Sequence, residues 1–353
     1  MTRVSAPGKM VLLGEYAVLF GAPAVVAAVN RRAVVELSPS PSRWWELTAP
    51  GLTDRPVEFE IDDHGAPCWR GDEDRRRFSL VDRLLVGLSQ SHRGALSSSQ
   101  PLAAILDTRA FFESTSNGRL KLGLGSSAAL TVALTSALSA RMEDGDRVSE
   151  DSVGLQQLID LHREIQGGLG SGVDVAASLH GGVTCFQLEE TGSARVTPLV
   201  LPPDLHLQAF WTGSSASTGA FLDRLHRQRE ERPKEIDAAL GKLGAVSRDG
   251  VAALTTEDTP RFLAAVDQVW DALTDLGRAI DMPIVSGPHE ELRQMARAHG
   301  VHYKPSGAGG GDLGIGFAAA PGPLKRLSAA VGEAGFDVID LGVDARGVTR
   351  EEP

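Results

Sequence analysis

In the stretch Lys121-Leu-Gly-Leu-Gly-Ser-Ser-Ala-Ala129, a glycine-rich turn runs directly into a predicted helix. Its two glycines allow the backbone to turn tightly and to expose N–H groups, and Ser126 and Ser127 can cap the helix. The following turn, Ala128–Leu130, contains no carboxylate, although helix N-termini usually favour Asp or Glu there. A neutral helix start that is rich in N–H groups favours a bound triphosphate, and either serine hydroxyl can also ligate Mg2+.

The helix that follows this turn is the clearest one in the first half of the chain. Within Ser127–Met142, the side chains of Leu130, Leu134, Ala137 and Leu138 share one face at helical spacing. Apolar periodicity and turn residues predict further elements around it. The predicted strands are Val11–Leu13, Pro23–Val35, Leu102–Leu106 and Val183–Gln187, and the predicted helices are Phe78–Gln90, Val153–Gln166 and Val175–Leu179.

The pattern changes after about residue 205, where one strand leads into long, charged helices. The predicted helices are Gly219–Glu231, Pro233–Val246, Pro260–Ala279, His289–His299 and Pro323–Ala334, and the predicted strands are Leu207–Trp211, Gly314–Ala318 and Asp337–Leu341. This change predicts two domains, residues 1–200 and 201–353, with the boundary between residues 195 and 205. The last six or so residues are predicted to fray.

Two further segments are rich in glycine. Lys304-Pro-Ser-Gly-Ala-Gly-Gly-Gly-Asp312 lies between a helix and a strand, and so flexible a loop is costly to order unless its amides bind an anion. Gly167-Gly-Leu-Gly-Ser-Gly-Val-Asp174 ends in an aspartate before a helix of small residues. Asp174 can act as a general base, pair with a lysine, or simply cap that helix.

Two other nucleotide-binding motifs are not supported. Gly123-x-Gly125-x-x-Ala128 and Gly309-x-Gly311-x-x-Gly314 both match the dinucleotide fingerprint. Neither opens an N-terminal βαβ unit with an acid at the end of the next strand, so a Rossmann fold is not favoured. The chain contains no GxxxxGK[ST] sequence, which excludes a Walker-type phosphate loop.

Composition narrows the partners. The chain has 353 residues, a net charge of -11 and a pI of about 5.3, which argues against nucleic acid or anionic lipid as the main partner. The sequence contains no stretch of about 18 uninterrupted apolar residues, so no membrane-spanning helix is predicted. Charged and turn residues interrupt the apolar N-terminus and argue against a signal peptide. The two cysteines, Cys68 and Cys185, lie far apart in the sequence and predict neither a disulfide nor a zinc site, which fits a reducing, cytoplasmic location. The expected oligomeric state is a monomer or a homodimer.

Together with the segment Ser5-Ala-Pro-Gly-Lys-Met-Val-Leu-Leu-Gly-Glu-Tyr-Ala-Val18, the segments Gly123–Ala129 and Lys304–Asp312 resemble the three motifs of the GHMP kinases, in order and with the usual spacing. The resemblance covers nearly the whole chain. It implies an α+β fold with an N-terminal domain like ribosomal protein S5 domain 2, which binds ATP, and a ferredoxin-like C-terminal domain. It also implies ATP and Mg2+ as cofactors and a small-molecule phosphate acceptor.

Several details are similar to the phosphomevalonate kinases within this family: Tyr16 where mevalonate kinases usually carry His, Lys121, the run Gly170–Ser178, Pro305-Ser306 and Asp312. This likeness implies ATP-dependent phosphorylation of 5-phosphomevalonate to 5-diphosphomevalonate. The alternatives are a mevalonate kinase, another GHMP small-molecule kinase, or a ligand sensor that has lost catalysis. A diphosphomevalonate decarboxylase is not favoured, because its first motif ordinarily lacks the lysine found at position 9.

The resemblance also assigns residue roles. Lys9 would bridge the transferred phosphoryl group and the acceptor, Asp174 would accept a proton or orient Lys9, and Ser127 would ligate Mg2+. The ATP-binding residues would be Lys121, Gly123, Leu124, Gly125, Ser126, Ser127 and Ala128. The substrate-binding residues would be Lys9, Glu15, Tyr16, Ser171, Gly172, Asp174, Ser306, Gly307, Ala308, Gly309 and Gly310.

Two points stay open at this stage. Mevalonate kinases place a metal-binding glutamate on the helix before the aspartate, and the matching position here is His162, with Glu164 pointing elsewhere. A substrate that already bears a phosphate also needs an extra cation. Candidates for this cation are Lys121, Lys304, Arg31 and Arg32.

Overall fold

The structure is a computed structural model that describes residues 1–91, 100–115, 118–142, 154–168 and 170–351. The serine-rich segment Arg93–Gln100, whose composition predicts a loop, lies mostly outside these residues. So do Val153 of the predicted helix Val153–Gln166 and Leu169 of the glycine-rich segment Gly167–Asp174. The strands are β1 (Thr2–Leu13), β2 (Ala24–Pro39), β3 (Trp45–Thr48), β4 (Val57–Ile61), β5 (Pro67–Trp69), β6 (Leu102–Asp107), β7 (Phe112–Thr115), β8 (Gly118–Lys121), β9 (Val183–Leu188), β10 (Ala194–Leu199), β11 (His206–Trp211), β12 (His302–Pro305), β13 (Leu313–Ala318), β14 (Asp337–Ile339) and β15 (Thr349–Glu351).

Most of the helices lie at the positions that periodicity predicts, although their first residue, their last residue or both differ from the predicted ones. They are α1 (Asp72–Arg77), α2 (Ser79–Ser91), α3 (Ser126–Met142), α4 (Leu155–Ile165), α5 (Val173–His180), α6 (Thr218–Glu231), α7 (Pro233–Thr255), α8 (Thr259–Ala279), α9 (Gly287–Ala298) and α10 (Pro321–Glu333). Pro233 occupies the first turn of α7, where its missing N–H leaves no hydrogen bond unmade. The α7 helix continues nine residues beyond its predicted end at Val246.

A mixed sheet of nine strands dominates the first half of the described chain, in the order β10-β9-β2-β6-β3-β4-β5, with β1 paired to β2 and β15 paired to β1. The first six residues of β2 are all buried, and the rest of the strand largely alternates between buried and more exposed positions. This pattern fits a strand that is covered on both faces at one end and on one face at the other. The long antiparallel pair β1–β2 shifts register between Pro7 and Gly8, directly before Lys9.

The second half contains a four-stranded antiparallel sheet, β12-β13-β11-β14, among the described residues. The helices of the second half pack against the first half of the chain. One hydrophobic core joins Leu12 and Leu13 of β1 to Phe262 and Leu273 of α8. The predicted boundary near residue 200 therefore marks a change of sheet within a shared core, and the division into two domains stays a prediction.

The helix predicted over Ser127–Met142 is present as α3, and its burial extends beyond the predicted apolar face to Ala128, Val132 and Ala133, since it packs against β1, β2 and α5. One structural prediction, at the C-terminus, is wrong. The last residues do not all fray, because Thr349–Glu351 forms β15 and pairs antiparallel with Arg3–Ser5 of β1. Hydrogen-bonding the terminal segment to a buried strand satisfies backbone groups that the sequence alone gives no reason to pair.

In the part of the chain that the structure describes, no helix combines the length and apolar character needed to cross a bilayer.

Candidate active site

The three glycine-rich segments meet at a single cleft of about 470 Å3. It lies between the start of α3, the start of α5 and the loop before β13, so residues more than 100 positions apart in the chain face each other. The predicted site residues that line it are Lys9, Glu15, Tyr16, Lys121, Gly123, Gly125, Ser126, Ser127, Ser171, Asp174, Gly307 and Ala308.

The predicted residues that do not line the cleft are Leu124, Ala128, Gly172, Ser306, Gly309 and Gly310. Leu124 and Ala128 are buried, and the carbonyl oxygen of Leu124 accepts a hydrogen bond of 2.8 Å from the backbone N–H of Lys9. Gly172 precedes α5 in a left-handed conformation. A hypothetical Cβ at Gly309 would lie 2.3 Å from the carbonyl oxygen of Ile284, so this glycine packs against the loop between α8 and α9.

Lys9 lies inside β1, because this strand begins at Thr2 and not at the predicted Val11. Its Nζ lies 3.4 Å from the carbonyl oxygen of Gly123, to which it donates. A Cβ built on Gly125 would lie 3.1 Å from Cγ of Lys9 and 3.7 Å from Cβ of Asp174, so these two side chains flank the turn before α3. Both proposed catalytic groups therefore reach the place where the sequence predicts a triphosphate.

The start of α3 has the character that its sequence predicts. No acidic residue lies in its first turn, and Gly125, Ser126 and Ser127 face the cleft. The positive end of the helix dipole and the unpaired amides of that first turn therefore meet the cleft without a competing carboxylate on the same helix.

Asp174 does not cap α5, because the capping position is Gly172. The Asp174 carboxylate accepts a 3.0 Å hydrogen bond from the N–H of Val175 and lies 3.8 Å from Nδ1 of His162. The other ring nitrogen of His162, Nε2, lies 3.2 Å from Oγ of Ser127. His162, which stands where mevalonate kinases carry the metal-binding glutamate, thus contacts both Ser127 and Asp174, to which the resemblance gives a chemical role.

The first and third motifs are tied together by buried polar contacts. The carboxylate of Glu15 and the ammonium of Lys304 form an ion pair in which both side chains are 0% exposed. Burial lowers the pKa of Lys304 below its usual range, and Glu15 acts in the opposite direction. The Ser306 hydroxyl bonds the backbone of Val11 at 3.1 Å, and the Tyr16 hydroxyl donates to the carbonyl oxygen of Ala308.

The last residue of the third motif also faces the cleft. Asp312 has a positive φ of 55°, and its carboxylate lies where a side chain on Gly123 would have to go. Ser215 and the N–H of Ala216 hydrogen-bond this carboxylate. Burial raises the pKa of Asp312 above its usual range, while Lys9 pulls it down. A strained, partly buried acid that contacts the second motif is typical of a functional site.

Local carboxylates neutralise most of the candidate phosphate-binding cations. Lys304 pairs with Glu15, Arg31 pairs with Glu113 at 2.6 Å, and Arg32 pairs with Asp344 at 2.6 Å. Arg32 also donates to the backbone carbonyls of Ser5 and Gly347, which fixes the C-terminal segment beside β1. Among the described side chains that line the cleft, Lys9 and Lys121 are the cations without an ion pair within 4 Å.

Sequence reasoning missed one wall of the cleft. The segment before and at the start of α6 lines it, and the residues that do so are Ser215, Ala216, Thr218, Gly219 and Leu222. The first turn of α6 carries no acid, so a second helix start presents amides to the cleft. The run Trp211–Thr218, rich in small hydroxyl residues, was the available signal.

Among the described residues, no group of three or more His, Cys, Asp or Glu side chains is placed to hold a metal ion. Mg2+ does not need one, since it commonly binds one or two carboxylates and takes its other oxygens from phosphates and water. The Ser127 hydroxyl and the Asp174 carboxylate both line the cleft beside the α3 start. These oxygen donors suit Mg2+ bound together with a nucleotide.

Comparison with known proteins defines the class. A family model described as the GHMP kinases N terminal domain matches residues 95–182. A phosphomevalonate kinase of Streptomyces sp. (strain CL190) is 30% identical over 337 residues, which cover 88% of each chain. A mevalonate kinase of Thermococcus gammatolerans is 28% identical over 362 residues, covering 99% of this chain and 98% of that protein.

A solved structure agrees with these sequence relatives. Streptococcus pneumoniae phosphomevalonate kinase, in complex with phosphomevalonate and AMPPNP, superimposes with a TM-score of 0.74 at 19% identity, covering 97% of this chain and 100% of that one. The chain therefore belongs to the GHMP kinase family. The predicted α+β GHMP kinase fold is confirmed, and the chain is placed among small-molecule kinases that use ATP.

Proposed function

We propose that the chain catalyses transfer of the γ-phosphoryl group of ATP to 5-phosphomevalonate, which yields 5-diphosphomevalonate and ADP. The observation that carries this proposal is the pair of lysines in the cleft, Lys9 and Lys121, neither of which is neutralised by an ion pair within 4 Å among the described residues. The protein as a whole is acidic, so an acceptor with its own phosphate must be held by local cations. Two lysines can serve the donor and the acceptor phosphates together.

The second helix start supports the same proposal. The amides at the start of α3 suit the ATP phosphates, and those at the start of α6, with the hydroxyl of Thr218, suit a second phosphate. An acceptor such as mevalonate, whose anionic group is a carboxylate, has less use for two anion-binding helix ends in one cleft.

The reaction requires positioning more than covalent help from the protein. An oxygen of the acceptor phosphate forms a bond to the γ-phosphorus, the bond from that phosphorus to the bridging oxygen breaks, and its electron pair stays on ADP. Lys9, which flanks the α3 turn, stabilises the negative charge that develops between the two phosphates. Bound Mg2+ would neutralise further phosphate charge, with Ser127 and Asp174 as its candidate protein ligands.

The nature of the acceptor decides what Asp174 has to do. A phosphate monoester loses its second proton with a pKa of about 6, so the attacking oxygen of 5-phosphomevalonate is already ionised at neutral pH. No general base is needed for that acceptor, and Asp174 then orients its neighbours. A hydroxyl acceptor such as that of mevalonate must lose a proton, and Asp174 would have to accept it.

The test measures ADP release with 5-phosphomevalonate, mevalonate and other small acceptors in parallel. We expect a kcat/KM for 5-phosphomevalonate at least about 100-fold above that for mevalonate, which corresponds to a transition-state difference of about 2.7 kcal/mol. The Asp174→Asn variant should keep more activity with the phosphorylated acceptor than with any hydroxyl acceptor that the wild type uses. Turnover with mevalonate alone would transfer the assignment to the alternative.

That alternative, a mevalonate kinase, is favoured by one observation: the Thermococcus gammatolerans relative of that name aligns over 99% of this chain at nearly the same identity. ADP release without a preference for either acceptor would instead favour another GHMP kinase. No ADP release with any acceptor would favour a ligand sensor on this fold.

A further inference from the structure

The His162 side chain is a buried group that the proposed reaction does not use directly. It projects from α4 and is 1% exposed, yet both of its ring nitrogens meet cleft residues from other helices. Nε2 lies 3.2 Å from Oγ of Ser127 on α3, and Nδ1 lies 3.8 Å from Oδ1 of Asp174 on α5. Buried polar groups are normally paired with polar partners, and here both ring nitrogens of His162 face polar side chains of the cleft, those of Ser127 and Asp174.

The surroundings indicate which nitrogen carries the proton. A carboxylate near Nδ1 favours the tautomer with its hydrogen on that nitrogen, and Nε2 is then an acceptor. The Ser127 hydroxyl must therefore donate its single hydrogen to Nε2. Because that hydrogen is directed back into the protein, the lone pairs of the serine oxygen are left for the cleft, which Ser127 lines.

We infer that His162 is a positioning residue that holds the Ser127 hydroxyl with its oxygen lone pairs toward the cleft, and thereby supports binding of the Mg2+–nucleotide complex. The inference rests on the proposed function only in requiring a magnesium nucleotide at the α3 start. Residues that orient a metal ligand from behind typically change metal affinity or activity by about 10–100-fold when replaced.

The test measures binding of AMPPNP by calorimetry, once with saturating MgCl2 and once with EDTA. We expect His162→Leu to weaken binding by about 10–100-fold with Mg2+ and to leave binding in EDTA unchanged. His162→Gln should recover most of the affinity, since its carboxamide oxygen can accept the hydrogen of Ser127. The double variant Ser127→Ala/His162→Leu should bind no more weakly than Ser127→Ala alone, because both changes remove one interaction.

A matched control separates positioning from folding. Leu158 is fully buried on the same helix, and Leu158→Ala should lower the melting temperature without changing the ratio of the affinities measured with Mg2+ and with EDTA. Equal losses in Mg2+ and in EDTA for His162→Leu, losses that add to those of Ser127→Ala, or the same ratio change in Leu158→Ala would each overturn the inference. No acceptor is present in these titrations, so a wrong acceptor assignment leaves the result intact and is seen only in the turnover assay.

Discussion

The buried Lys304–Glu15 ion pair joins the first motif to the third, and its removal should reveal how strongly the cleft depends on that connection. Both side chains are 0% exposed, and one oxygen of Glu15, Oε2, has no hydrogen-bond partner among the described residues. Replacing Lys304 with Met would leave a buried carboxylate without its counter-ion. Breaking a buried pair in this way costs about 3–5 kcal/mol of the free energy of unfolding.

The expected shift in melting temperature follows from the size of the chain. Unfolding entropy is about 2.1 cal/mol/K per residue, so for 353 residues the loss corresponds to a fall of about 4–7 °C. The double variant Glu15→Gln/Lys304→Met carries neither charge. We therefore expect it to be more stable than the sum of the two single losses by about 2–3 kcal/mol.

Urea unfolding followed by circular dichroism measures these differences in the free energy of unfolding. Lys242→Met is the matched control, because Lys242 pairs with Asp275 at 3.2 Å with side-chain exposures of 66% and 46%. Exposed pairs contribute about 0–1 kcal/mol, so this variant should stay close to the wild type. A Lys304→Met protein that loses less than about 1 kcal/mol, or single losses that simply add, would refute the reasoning.

Three other perturbations test separate parts of the site. Lys9→Met should lower kcat by roughly 100–1,000-fold while AMPPNP affinity stays within about threefold, and a near-normal kcat would remove Lys9 from the reaction. Gly123→Ala should weaken AMPPNP binding at least about tenfold, because its Cβ would lie 2.6 Å from Cγ of Asp312, whereas Gly192→Ala, with the same sign of φ but open space around it, should bind normally. Burial lowers the pKa of His289 from 6.5 to about 4, so as the pH falls the unfolded chain binds a proton at this residue before the folded chain does. The stability that His289 contributes should therefore fall by about 3 kcal/mol as the pH is lowered from 6.5 to 4. The difference in unfolding free energy between wild type and His289→Gln should shrink accordingly, and a difference that does not change with pH would contradict the assignment.

The local character of the candidate nucleotide site could be predicted from the amino-acid sequence alone. The glycines before α3, the serines at its start and the absence of an acid in its first turn follow from short-range rules on turns, caps and helix dipoles. The same rules predicted most helices, including one that begins at Pro233. The resemblance to the GHMP motifs, and not these rules, assigned Lys9 and Asp174 to one family pattern.

Which charged groups are available in the cleft depends on tertiary contacts that the sequence does not reveal. Lys304, Arg31 and Arg32 were equal candidates in the sequence, yet each meets a carboxylate far away in the chain; for Lys304 the separation is 289 residues. The position of His162 behind Ser127 likewise depends on how α3 and α4 pack. Pairing between distant side chains is set by the packing of whole elements, which local spacing and periodicity do not encode.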